Sequence, residues 1–190
     1  MMFNDPYNLT QAVLNGTKTM TRRVLKGNVS LGDWEETAKK LPYKVGEVVA
    51  VAQSYREVLE CVPAYNDTLL DDRGSLYKEY KAGYNNKLFV KSKLMPYHIR
   101  ITDIKIERLQ DISKEDCLKE GITFIESLSI IGYDAYFFTV KPKARQIYGN
   151  ILKFFSSPQR AYADLIDKIS GRGTWKRNPW VVVYTFERAD

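Results

Sequence analysis

The sequence is short of the residues from which many sites are built. It has two cysteines, Cys61 and Cys117, in no C-x-x-C pair, and one histidine, His98. Two scattered thiols argue against a disulfide scaffold and fit a reduced, cytoplasmic setting. One histidine and two distant cysteines cannot supply a Cys/His zinc site, so no metal is expected. Any Ser-His-Asp machinery would have to run through His98, which opens an expected strand and reads as a structural or solvated residue. No run of about 18 apolar residues occurs, so no membrane span is expected. Met1 to Thr10 has no basic segment followed by an apolar one, so no secretion signal is expected. Neither G-x-x-x-x-G-K-[ST] nor G-x-G-x-x-G is present, and no cofactor is expected.

What remains describes a folded chain. Of 190 residues, 44% are hydrophobic and 13% aromatic, enough apolar area to offset chain entropy. The 29 Lys and Arg exceed the 23 Asp and Glu, giving a net charge of +6. The densest basic cluster is Lys18, Arg22, Arg23 and Lys26, with no acid between them. A second spread runs through Lys87, Lys91, Lys93, Arg100, Lys105 and Arg108, and a third, Arg172, Lys176 and Arg177, lies beside Trp175 and Trp180. Basic side chains interleaved with rings suit a polyanion with stackable bases, although the same residues also serve as ordinary solvated faces.

The pattern along the chain predicts alternating short elements. Asp5-Pro6 opens a helix with Leu9, Val13 and Leu14 on its apolar face, ending at Gly16. A strand is expected from about Thr19, a polar connection over 27–44, and a strand at Val48 to Ala52. Residues 54–87 read as an excursion with one short strand near Leu76 to Lys81. Ile99 to Leu109 alternates apolar and polar and is the clearest strand. Ser113 caps a short helix to Glu120, stopped by Gly121. A strand at Phe137 to Val140, a helix from Ser157-Pro158 to Ile169 and a final strand from Pro179 to Glu187 follow. Strands broken by short helices, without βαβ alternation, predict an α+β domain around a curved sheet or small barrel.

Gly16 to Arg23 resembles the G-x-K-T-x-T-x-R signature of ASCH domains. Three further stretches resemble the larger, phage-type members: Tyr43 to Val51, Arg108 to Ile122, and Trp175 to Phe186 with its Asn178-Pro179-Trp180-Val181 ending. The resemblance implies a single PUA-like domain over 1–190: a small, mostly antiparallel β-barrel with short helices packed around it and insertions at about 54–87 and 123–156. It implies recognition of RNA or a modified nucleoside in a basic cleft, with Thr19, Arg22, Arg23 and Trp175 as ligand-binding candidates. One small bacterial ASCH branch hydrolyses N4-acetylcytidine with a lysine, a threonine and a glutamate. Carried over by motif, these are Lys18, Thr21 and Glu120. In that reading Thr21 attacks the amide carbonyl, Lys18 accepts and returns the proton, and Glu120 orients Lys18. The same three residues also suit a pure binding pocket. A third reading is a phage or prophage accessory protein that contacts other proteins through Trp175 and Trp180.

Overall fold

Pro6 does not start the first helix. A turn over 5–8 comes first, and α1 (Leu9–Leu14) follows with Leu9 and Val13 buried on one face. The computed structural model describes residues 1–25, 34–128, 133–138 and 153–189. Gly16 closes α1 with φ +78°, a conformation that costs a residue without Cβ little. The architecture is mixed α/β, with a curled antiparallel sheet and several short helices. The chain forms two compact units. One comprises Met1–Phe3, Val48–Arg100 and Arg188–Asp190; the other comprises Asn4–Glu47 and Ile101–Glu187.

The larger unit carries β1 (Met20–Val24), which pairs antiparallel with β6 (Trp180–Arg188), Thr21 standing opposite Tyr184. Val181 to Tyr184 are all buried, so the apolar run of β6 is a core strand. β3 (His98–Arg108) begins in the smaller unit and continues through the larger one. Its Leu109 end meets β6, the Leu109 N–H donating to Pro179 O at 3.0 Å. α5 (Lys114–Lys119) starts where Ser113 Oγ accepts the Asp116 N–H. α6 (Pro158–Ser170) is capped by Ser157 and buries Ala161, Tyr162, Leu165 and Ile166 at helical spacing.

The smaller unit is built around Tyr55, Val58, Leu69 and Met95. β2 (Val48–Ala50) pairs antiparallel with the start of β3, Val49 opposite Ile99. The full sheet order is β1-β6-β3-β2.

Several expectations need correction. The polar connection over 27–44 contains α2 (Trp34–Lys40). The excursion over 54–87 is helical: α3 (Tyr55–Cys61), α4 (Asn66–Leu69) and a 3-10 segment at Lys78–Gly83, with only a bridge between Leu70 and Leu76. Ser54 and Glu57 form a complete capping box on α3, a signal present in the sequence as S-x-x-E. A hairpin of β4 (Thr123–Leu128) and β5 (Tyr133–Phe137) replaces the single strand expected at Phe137 to Val140. Thr139, Val140 and the basic Lys26 lie outside the described residues. α7 (Thr174–Arg177) precedes β6.

Candidate functional site

The site grows from strand alternation in β1 and its lead-in. Lys18, Met20 and Arg22 are two residues apart, so they share one face. The Arg22 guanidinium confirms the register by donating to Met20 Sδ at 3.1 Å. The Thr19 N–H donates to Lys119 O at 3.0 Å, which ties the start of β1 to the end of α5. Glu120 is the C-terminal cap of α5 and therefore arrives beside Lys18. Gly121 follows with φ +99°, and a Cβ there would lie 3.3 Å from Leu9 Cδ2 and 3.8 Å from Lys18 Cδ. The glycine leaves the room through which the Lys18 stem passes.

Lys18 Nζ donates to Glu120 Oε2 at 2.6 Å and to Glu120 O at 2.8 Å, with both side chains buried. Arg22 completes the centre. Its Nη1 reaches Glu120 Oε1 at 3.2 Å, and its Nη2 reaches Glu107 Oε1 at 2.6 Å and Asp116 Oδ2 at 2.7 Å. Lys105 Nζ adds contacts to Glu107 at 2.9 Å and Asp116 at 3.4 Å. With Lys119 Nζ 3.8 Å from Asp116, four cations meet three carboxylates, which limits the cost of removing the buried ones from water.

Burial holds the Lys18 ammonium below the usual lysine range, against the opposing pull of Glu120; the Arg22 and Arg23 charges lower it further. Burial also acts against the Asp116 carboxylate, but the hydrogen bond and charge of Arg22 outweigh it and keep that group below its ordinary range. The Arg22 guanidinium is held more firmly protonated than usual, because its carboxylates overcome the desolvation. Tyr162, on α6, is fully buried, and its hydroxyl has no hydrogen-bond partner among the described residues. Burial, and then the Glu120 charge, raise that phenol well above its ordinary value.

The sequence-derived candidates fall into distinct places. Lys18 and Glu120 are brought together. Thr21 is buried on the opposite face of β1 from Met20 and Arg22, across from Tyr184. No hydrogen bond joins its hydroxyl to Lys18 or Glu120 among the described residues. Arg22, expected on a ligand phosphate, instead has a side chain with no exposed area, saturated by Glu107, Asp116 and Glu120. It is a structural cation, because its Nε, Nη1 and Nη2 donors are all taken by Glu107, Met20, Glu120 and Asp116. Arg23 is half-buried on Thr21's face, and its charge bears on Tyr184. Thr19 is half-buried and its backbone is spent on Lys119 and Phe186.

Trp175 packs edge-on against Tyr162, centroids 6.3 Å apart, and its carbonyl accepts from Gln110 Nε2 at 2.7 Å. Trp180 is half-buried with the Arg108 guanidinium 4.2 Å over its ring, so it offers no open apolar patch. His98 is half-buried within β3, paired opposite Ala50. Glu107, Asp116 and Tyr162 escaped the sequence reading. Glu107 and Asp116 stand 85 and 94 residues from Arg22, and no local pattern links them. Among the described residues no group of three or more His, Cys, Asp or Glu is arranged to hold a metal ion. None of their helices is long and apolar enough to cross a membrane.

No family model matches the chain, and no curated protein matches it. Among solved structures it is similar to the crystal structure of protein EF3133 from Enterococcus faecalis V583, of family DUF984. Identity is 15%, the match covers 96% of this chain and 67% of that one, and the TM-score is 0.37.

Proposed function

We propose that this chain is an ASCH-type protein with a PUA-like barrel that recognises RNA or a modified nucleobase through the Lys18–Glu120 centre. One observation carries the reading. The centre joins residues 102 apart in the sequence and keeps unspent hydrogen-bonding capacity inside the fold. The Lys18 ammonium has three donors, of which Glu120 takes two. The Tyr162 hydroxyl is buried without a hydrogen-bond partner among the described residues. Such leftover polar capacity is costly unless something completes it. A nucleobase edge, with a carbonyl beside an amine, offers the matching acceptor and donor.

Calorimetric titration of cytidine, N4-acetylcytidine and a short RNA tests the reading. The parent chain binds at least one, and Lys18→Met and Glu120→Gln weaken that binding at least tenfold while staying folded. If none of the three binds the folded parent, the reading is wrong.

The lowered proton affinity of Lys18 favours a second reading, amide hydrolysis of an acylated nucleoside, since a lysine acts as a base only when neutral. Thr21 is the nucleophile in that reading, and its place on the opposite strand face weighs against it. Release of cytidine from N4-acetylcytidine by the parent, abolished in Lys18→Ala and Thr21→Ala, would establish it.

A further inference from the structure

Residues 77–93 carry four rings, Tyr77, Tyr80, Tyr84 and Phe89, and five lysines against one carboxylate, Glu79. Several of these side chains stay outside the core. Phe89 is 59% exposed, Leu88 69% and Tyr77 43%. Lys78, Lys81 and Lys93 are exposed and form no salt bridge among the described residues, the Lys93 charge acting on Glu79 only at longer range. An open cavity of about 790 Å³ runs along Thr68 and Tyr77 to Tyr80.

The segment is pinned down rather than loose. Gly83 lies against the Tyr55 ring so closely that a Cβ would stand 2.5 Å from it. The Lys91 N–H donates to Tyr55 Oη at 2.9 Å, and the Arg56 N–H donates to Tyr84 O at 3.1 Å. Tyr55 itself is completely buried. The backbone that carries the outward rings is therefore held in place before any partner arrives, which lowers the ordering cost of binding. Tyr80 already has Lys91 Nζ 4.9 Å above its ring, which leaves Tyr77, Tyr84 and Phe89 outward, with Phe89 and Tyr77 the more exposed.

Exposed rings interleaved with exposed lysines that outnumber their one carboxylate match a polyanion whose flat apolar parts are accessible. A duplex hides its base faces, whereas a single strand presents them. We propose that this face binds single-stranded nucleic acid, with bases stacked on Tyr77 and Phe89 and phosphates held by Lys78, Lys81 and Lys93. The inference shares only the ligand class with the reading above, because none of these residues belongs to the Lys18 centre.

The test is fluorescence anisotropy of a labelled oligouridine of about twelve nucleotides with the full chain, at several salt concentrations. Affinity falls as salt rises. Lys81→Gln with Lys93→Gln lowers the log–log salt slope by about 1.4, at about 0.7 per phosphate contact. Phe89→Ala weakens binding by about 5- to 150-fold, the worth of about 1–3 kcal/mol for one stacked base. Thermal unfolding shows that the variants stay folded, as expected for exposed side chains. Oligouridine binding that these variants do not change overturns the proposal. So does a parent that ignores oligouridine yet binds N4-acetylcytidine, and that result leaves the Lys18 reading standing. Oligouridine binding that survives Lys18→Met supports the surface even if nucleosides fail to bind. A salt-insensitive self-association abolished by Phe89→Ala would make the face a protein interface and overturn the proposal.

Discussion

The Lys18 ammonium lies 2.6 Å from Glu120 Oε2, and the same carboxylate accepts from Arg22 through its other oxygen at 3.2 Å. Glu120 is therefore shared, and Lys18 is not. That asymmetry orders the cost of breaking the pair. Glu120→Leu leaves a buried ammonium with a single backbone acceptor and costs about 3–5 kcal/mol. Lys18→Met leaves Glu120 still held by Arg22 and costs about 1.5–3 kcal/mol, the value of a lost charged hydrogen bond. Urea unfolding of the two variants checks the order, and an equal or reversed cost would show that Glu120 does not depend on Arg22.

Acid destabilises the chain partly through Asp116. Its folded proton affinity is depressed, so its contribution is complete above the ordinary carboxylate value of 3.8 and is lost as pH falls through the lower folded value. Asp116→Asn lowers stability at neutral pH and flattens the acid limb of the stability profile. Chemical denaturation between pH 2 and 7 measures both effects.

The two thiols differ sharply. Cys61 is exposed, whereas Cys117 is buried and burial pushes its thiol up to about 12. At about pH 8 a thiol reagent titrates one cysteine in the folded chain and two after unfolding. Because the folded thiol resists ionisation, its contribution persists below the ordinary value of 9.0 and is lost as pH climbs from there toward about 12. Rapid labelling of both thiols in the native chain would contradict the packing of α5.

Gly121→Ala forces a Cβ into φ +99° and against Leu9 and the Lys18 stem. The left-handed backbone alone costs about 1–2 kcal/mol. The crowding also displaces Lys18, so nucleoside affinity falls together with the melting temperature. A variant with parental stability and affinity would show that the tight turn is dispensable.

How much of this was legible from sequence varies by element, for physical reasons. β3, α5, α6 and β6 announce themselves because their periodicity and caps are local: Ile99 and Ile101 alternate, Ser113 caps, and Pro158 starts. α3 carried its capping box in plain sight, but the turn residues that follow it masked the helical reading. α2 is short, and the basic residues of its last turn, Lys39 and Lys40, gave no apolar stripe to read. The Lys18–Glu120 pair came only from a motif resemblance. The role of Arg22 was illegible, since its carboxylates come from β3 and α5, far along the chain. A cation in a basic run looks like a phosphate contact until the fold supplies its anions.

The ion network also dictates how the larger unit comes apart. Arg22 belongs to β1, Glu107 to β3, and Asp116 and Glu120 to α5 and its cap, so no single segment neutralises its own charge. A state in which α5 peels away while β1 stays packed would leave the guanidinium with Glu107 alone and take away two of its three carboxylates. Such half-open states are therefore scarce, and these elements separate as one event. Backbone amides of β1 and of α5 then exchange with solvent through a common opening, although one is a strand and the other a six-residue helix.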